Sequence, residues 1–547
     1  MTPRGEWDYV IVGAGSAGCI LAARLTEDAA TRVLLLEAGP RDRSIWLRMP
    51  AGMSRVVWGT RYSWAFTSDP EPHLGQRRLG HPRGRVLGGS SSINGMVWLR
   101  GQPADYDGWA QRGARGWDHA GVLPYFRKAE AAPPEAIDPD RGHEGPLRVT
   151  RPDLRHSPLA EAFVDCGIAA GWPRLEDFNG RQQEGFGPVE RSTHRGRRMS
   201  SAETYLRPAL NRPNLTVITG ATVLGLVLDR GRSTAVRYFT DEGEQIARAG
   251  AEILLAAGAI GSPHLLHLSG IGPADTLRQA GIPVLHDLPG VGENLNDHPD
   301  LVVQHRCTAP LSVWPATRPL RALAAGAEWL LRGTGPAATN HFEAGGFVST
   351  RPGLAGPDIQ FTFMPLAVKP GTADLRPEHA WQVHIDLMRP RSRGHVRARS
   401  ADPLSPPAIL FNYLADPADR DDLRAGLALL REVLAQPPLA RLSGPELFPG
   451  PDVRDTDAVD AWMRQTLETC YHPVGTCRMG APDDPGAVVD PDTRLRGIEG
   501  LRVIDASIMP EIVSANTNAA TIMIAERAAD LIRGRLSAPA ALEGASA

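Results

Sequence analysis

Lysine is almost missing from this 547-residue chain, with Lys128 and Lys369 the only two. Its 59 basic residues are therefore nearly all arginines, and 62 acidic residues offset them to a net charge of -3. Such a balance excludes the one-signed surface that nucleic-acid binding needs. Cysteine is scarce as well: Cys19, Cys166, Cys307, Cys470 and Cys477 are odd in number, scattered, and form no C-x-x-C pair. A disulfide framework, a zinc site and a dithiol redox centre are excluded on that spacing, and no metal is expected. A reducing, cytoplasmic compartment fits best. No apolar run reaches the ~18 residues of a membrane span, so any membrane contact is expected to be peripheral, at the inner membrane. The apolar segment from Tyr9 to Leu25 is broken by Gly13, Gly15 and Gly18 and preceded by Glu6 and Asp8, so it reads as strand and loop rather than signal peptide.

What the chain does have is a strong opening pattern. Tyr9 to Val12 is a short apolar strand, Gly13-Ala-Gly15-Ser-Ala-Gly18 follows at once, Cys19 to Leu25 is helical in pattern, and Arg32 to Leu36 is a second strand ending at Glu37. In that strand-turn-helix setting G-x-G-x-x-G is a dinucleotide fingerprint. Gly13 permits the turn, Gly15 lets a pyrophosphate approach, and Gly18 allows close helix–strand packing. Glu37 stands where an acid accepts hydrogen bonds from an adenosine ribose, which favours NAD or FAD over NADP.

Further along, Gly84 to Met96 is a small-residue loop rich in Gly and Ser, with the composition of a second flavin or phosphate contact. Leu215 to Thr219, Thr222 to Leu228 and Glu252 to Gly258 read as strands, and Gly258 to Gly272 opens as a helix. Between about Pro299 and Gly450 the pattern is sheet-like, with candidate strands Ile359 to Phe363, Gln382 to Met388 and Gly394 to Arg399. Leu501 to Ile504 reads as one more buried strand and Asn518 to Ile532 as a helix. The fold class expected is α/β plus α+β, a Rossmann-like domain interleaved with a domain built on a second sheet.

Gly13 to Gly18 with Glu37, the Gly84 to Asp107 segment, the Gly258 to Gly272 segment and Tyr471-His-Pro-Val-Gly-Thr-Cys-Arg-Met-Gly480 together resemble the glucose-methanol-choline (GMC) flavoprotein oxidoreductases, over almost the whole chain. Within that family, Tyr62 to Phe66, Glu71-Pro72, Gln182 to Pro188, Thr339 to Phe347 and Pro407 to Tyr413 resemble the bacterial choline dehydrogenases and their alcohol dehydrogenase relatives. Val474 and the Ala515-Asn-Thr-Asn518 run are also similar to aliphatic-alcohol and sugar dehydrogenases. The resemblance implies a discontinuous FAD-binding domain (5–40, 80–150, 200–300 and 455–535), substrate-binding and cap regions (41–79, 151–199 and 301–454), and a disordered tail (536–547).

The same resemblance implies non-covalent FAD, because Ile93 stands where covalent members carry a histidine. It places Asn94, Gly95 and Met96 near the flavin ring, Val223 near the adenine, and Asp505 and Ala506 near the ribityl and pyrophosphate groups. Ser16, Ala38, Gly88, Gly89, Ser92, Val97, Ala257, Gly258 and Thr517 complete the cofactor set. His472 matches the catalytic histidine, and an imidazole suits a base at neutral pH. Asn516 matches the second catalytic position and can donate to an oxygen gaining negative charge. Glu343 is the candidate for substrate selection, as a carboxylate for a quaternary ammonium or, equally, a structural salt bridge, with Trp64 offering cation–π attraction.

The implied reaction is oxidation of a primary alcohol, choline foremost, with a quinone or O2 as electron acceptor. Other alcohols, a hydroxynitrile lyase and a flavin photoenzyme are the alternatives within the family. Cys470 and Cys477 are read as packing, His298 and His305 as satisfying local hydrogen bonds, and Arg195, Arg197 and Arg198 as a solvated loop.

Overall fold

The computed structural model describes residues 7–369, 372 and 374–535, so the tail expected at 536–547 lies outside the described residues. Strand β1 (Trp7–Val12), helix α1 (Ser16–Leu25) and strand β2 (Val33–Glu37) form the opening βαβ unit. Every residue of β2 is buried, as in a parallel strand covered on both faces. After a stretch of helices and short strands, β3 (Gly185–Pro188) belongs to a different sheet. The chain then returns with β4 (Leu215–Thr219), the meander β5 (Thr222–Asp229), β6 (Arg232–Thr240) and β7 (Gly243–Leu255), and helix α2 (Gly258–Leu268).

A second sheet occupies most of the following stretch. Its strands are β8 (Pro299–Cys307), β9 (Ala344–Val348), β10 (Ile359–Met364), β11 (Ala380–Leu387) and β12 (Ser443–Phe448). This region is not purely sheet-like, since Pro319–Arg332 and Pro417–Leu434 are helices. Helix Thr456–Thr466 and the short strand β13 (Glu468–Thr469) follow, and β14 (Leu501–Val503) and helix Asn518–Ile532 close the described chain.

The first sheet has the order β4-β2-β1-β7-β6-β5, with β14 also paired to β7. Strand β7 serves two neighbourhoods: its first half pairs antiparallel with β6, and its second half runs parallel to β1 and β14. The parallel strands β1, β2, β7 and β14 therefore point their carboxyl ends the same way, at the edge where α1 and α2 begin. Helix Asn518–Ile532 is fastened to α1 by the Arg24–Glu526 ion pair at 2.7 Å and by Ser16 Oγ donating to Asn518 Oδ1 at 2.8 Å.

The second sheet is antiparallel throughout, with the order β12-β8-β11-β10-β9-β3 and β13 on β8. Each sheet has its own hydrophobic cluster. Val459, Trp462, Met463 and Leu467 belong to the cluster of the second sheet, and β13 extends that sheet. The stretch 456–469 thus departs from the expected boundary at 455, because its apolar face is buried there and not against the first sheet.

Candidate active site

The two sheets enclose a cavity of about 1280 Å³. At its first-sheet end, β1 stops at Val12 and the chain turns through Gly13 at φ +96°, a conformation that excludes a side chain. A Cβ on Gly13 would stand 2.6 Å from Ala256 O, whereas one on Gly15 would meet nothing closer than 3.8 Å because that face opens into the cavity. The first turn of α1 leaves its backbone N–H groups without helical partners beside this opening, an arrangement suited to a phosphate. Gly89 lies against Gly15, where a Cβ would reach 2.6 Å from the Gly15 Cα, so the two glycine loops touch and form one cradle.

Glu37 accepts Ala14 N–H at 2.9 Å and Gly39 N–H at 2.8 Å, and burial raises its pKa to about 7. Its carboxylate therefore closes the turn as well as facing the cavity. Across the cradle, Asp505 Oδ2 accepts from Gly258 N–H at 2.8 Å and Ser262 Oγ at 2.6 Å, and burial raises its pKa. The open glycine face, the helix N-terminus and the buried acid fit the pyrophosphate and ribose of a flavin dinucleotide.

At the other end stand His472 and Asn516. Asn516 Nδ2 lies 3.0 Å from His472 Nε2, and His472 Nδ1 lies 3.0 Å from His298 Nδ1, the imidazole rings crossing at 85°. Burial, then His298 and Arg83, hold the His472 pKa well below the usual histidine value, and burial lowers His298 to about 3. Both rings are neutral at pH 7. With the Asn516 amide donating to Nε2, the His472 proton sits on Nδ1 and is donated to His298, so Nε2 is the unprotonated nitrogen and its lone pair accepts from Asn516. Asp297 accepts the His472 backbone N–H at 2.7 Å and also the hydroxyls of Thr469 and Tyr413, which fixes the loop carrying His472.

Of the residues expected at the site, His472, Asn516, Gly13, Gly15, Ser16, Glu37, Ala38, Gly89, Asn94, Gly95, Val97, Val223, Ala257, Gly258, Asp505, Ala506 and Thr517 line this one cavity. Gly18, Gly88, Ser92 and Met96 do not. A Cβ on Gly18 would fall 1.9 Å from Gly13 O, so that glycine serves packing. Gly88 sits against Ser92, whose hydroxyl is turned inward to Leu87 O, and Met96 is fully buried.

Of the two substrate expectations, that for Glu343 is corrected. Glu343 lies outside the cavity lining, accepting from Thr339 Oγ1 at 2.8 Å and pairing with Arg191 at 3.5 Å, so the salt-bridge alternative is the one seen. Trp64 lines the cavity but stacks on Phe66 with centroids 5.9 Å apart, and the Arg85 guanidinium lies 5.0 Å from its ring. It is 42% exposed, so these contacts do not enclose its ring.

Other residues matter more than the sequence indicated. Arg198 is buried, not solvated: it donates to Leu47 O at 3.0 Å and to Asn94 O and Oδ1, both at 2.7 Å, and burial lowers its pKa to about 9. It clamps the loop that carries Asn94. His298 does satisfy a hydrogen bond, but with the catalytic candidate itself. Asp300, His384, Asp386 and Cys470 also line the cavity. The alternation of Gln382, His384 and Asp386 along β11 was the available signal for two of them.

A flavin-type dinucleotide cradle facing a neutral histidine and an amide across one cavity defines a flavoprotein oxidoreductase that removes hydride and proton from a small molecule. The GMC oxidoreductase family models match residues 7–300 and 390–525, and the chain belongs to that family. Its cofactor is FAD and its class is alcohol oxidoreductase. It is 47% identical to an oxygen-dependent choline dehydrogenase of Ectopseudomonas mendocina over 98% of this chain and 95% of that protein. The corresponding protein of Stenotrophomonas maltophilia is also 47% identical, over 98% and 96%. Among solved structures, pyridoxine 4-oxidase from Mesorbium loti superposes with a TM-score of 0.87 at 31% identity, covering 97% of this chain and 100% of that one.

Proposed function

We propose that the chain oxidises choline, a primary alcohol bearing a quaternary ammonium, to its aldehyde, with a quinone or O2 as the final electron acceptor. The observation that carries the chemistry is the unprotonated His472 Nε2 held 3.0 Å from the Asn516 amide, both residues lining the cavity. The choice of substrate is supported by the near-half identity, over almost the full length, to choline dehydrogenases.

An alcohol is a weak hydride donor until its hydroxyl proton leaves, so the neutral His472 takes that proton at Nε2. Asn516 then donates to the substrate oxygen as negative charge develops there. His298 holds the imidazole in the tautomer that keeps Nε2 unprotonated, and Asp297 holds the loop. FAD, when bound across the Gly13–Gly18 turn, Gly89, Asn94 and Asp505, supplies the acceptor for the carbinol hydride. No helix among the described residues is long and apolar enough to cross a membrane, and contact with a quinone pool would be peripheral.

The test is an anaerobic flavin spectrum before and after addition of choline, then of uncharged alcohols. Bleaching by choline supports the reading, and bleaching by uncharged alcohols alone removes choline but keeps the reaction. No bleaching with any alcohol refutes it in favour of a lyase or photoenzyme.

A further inference from the structure

The second-sheet wall of the cavity is formed by alternate residues of two neighbouring strands, most of them polar. Asp300, Val302 and Gln304 on β8, and Gln382, His384 and Asp386 on β11, face the cavity at every second position. The register sets Asp300 directly opposite Asp386 and Val302 opposite His384. Like charges in directly opposed strand positions destabilise a sheet, and burial makes the opposition worse. Asp300 and Asp386 are each only 6% exposed, so water does not relieve it.

The neighbours account for part of this acidity. His384 Nδ1 lies 2.7 Å from Asp300 Oδ2, and Cys470 Sγ donates to Asp386 Oδ1 at 2.8 Å. Thr362 on β10 approaches Asp386 Oδ2 at 3.4 Å. Glu468 on β13 flanks Asp300 from the other side but turns to Arg77 at 2.9 Å. Asp300 Oδ1 is buried and has no hydrogen-bond partner. Donor atoms of Asp300, His384 and Asp386 lie within 4.8 Å of one another. One positive partner thus serves two carboxyl groups, and the buried Oδ1 of Asp300 is left over as an acceptor. Cys470 stands two residues before His472, so this acid pair and the base share one wall.

We propose that Asp300 and Asp386 anchor the cationic nitrogen of the substrate, which exchanges for a proton held by the pair. The balance is simple: the Asp386 carboxylic acid releases H⁺ to solvent as the ammonium takes its place, with no change in the Asp300–His384 pair. The direction agrees with Asp386, whose pKa is raised by burial and then by Asp300. Glu343, tied to Arg191 and away from the cavity, has no part in this anchor. The proposal rests on the alcohol-oxidising reading of His472 and Asn516.

The test compares choline with 3,3-dimethylbutan-1-ol, the uncharged isostere, on FAD-loaded full-length enzyme. Asp386→Asn is expected to raise KM for choline roughly thirtyfold or more, the effect of removing one partner of a buried charge pair, with kcat within about twofold and KM for the isostere not raised. Asp300→Asn is expected to act in the same direction. An unchanged ratio of the two KM values in both variants overturns the proposal. Wild-type enzyme supplies a measurement that needs no variant and no turnover: titration with tetramethylammonium at pH 7 in buffers of different ionisation enthalpy. Release of about one proton per cation is expected from the exchange just described. Binding without proton release, or a site that takes Zn²⁺ and excludes tetramethylammonium, overturns it. Because this readout does not require flavin reduction, its failure is distinguishable from failure of the oxidation reading.

Discussion

Asn516 presents its amide nitrogen 3.0 Å from Nε2 of His472, across 44 positions of sequence. The opposite ring nitrogen is held at the same distance by His298. A base gripped from both sides has a fixed tautomer and a fixed direction, which is what proton removal from a bound hydroxyl requires. Asn516→Ala should therefore lower the anaerobic rate of flavin reduction by about 10²–10³, the usual cost of a lost oxyanion donor, without loss of FAD. Stopped-flow absorbance measures it, and a rate within threefold of wild type would remove Asn516 from the chemistry.

The pH dependence follows from the burial of His472. Burial disfavours the charged imidazolium, so the folded-state pKa lies well below 6.5 and the base stays competent in mildly acidic solution. With an uncharged alcohol, kcat/KM should stay flat as pH falls through 6.5 and decline only at lower pH. For choline a second limb is expected: KM should fall as pH rises towards about 8, because Asp386 gives up its proton more readily there. Initial rates from pH 5 to 9 with both alcohols separate the two limbs.

Gly15 and Gly18 should fail in different ways. Gly15→Ala adds a methyl group to an open face, so the protein should fold with near-normal melting but lose FAD on gel filtration. Gly18→Ala drives a Cβ to 1.9 Å from a backbone oxygen that cannot move without unseating the turn, so the variant should be insoluble or melt far lower. Equal behaviour of the two variants would contradict the cradle geometry.

Arg198→Met removes the donors to Leu47, Ser91 and Asn94 and leaves their buried carbonyl oxygens short of partners. The expected cost is ~1–3 kcal/mol of stability for such orphaned groups, together with weaker FAD retention because the Asn94 loop is freed. Thermal melts with and without added FAD check both parts.

Glu343→Gln breaks the pairing with Arg191 and should alter stability alone, with KM for choline unchanged. A KM that rises only for the cationic alcohol would restore Glu343 as the anchor.

Much of the fold was legible because its signals are local. The turn at Gly13 needs a positive φ, and the buried strand β2 needs a continuous apolar run; both are visible in a few adjacent letters. The helices Pro319–Arg332 and Pro417–Leu434 were less legible, since they interrupt a stretch whose neighbours are strands. Arg198 was misread because three arginines within four positions look like a solvated loop. Burial of one of them depends on carbonyl oxygens about a hundred residues or more away in sequence, at Leu47, Ser91 and Asn94. Glu343 shows the same limit in reverse, its motif suggesting a cavity residue while Arg191 draws it aside.

The sequence by itself determined the dinucleotide turn, the histidine and asparagine that line the cavity, and hence the reaction class, because each depends on residue type within a short motif. Only the tertiary structure decided which acids face the cavity. Asp300 and Asp386 belong to strands whose pairing register is set by the whole antiparallel sheet, and a shift of one residue would turn every such side chain to the other face. That register brings two carboxyl groups together out of water, on the wall that also carries the base.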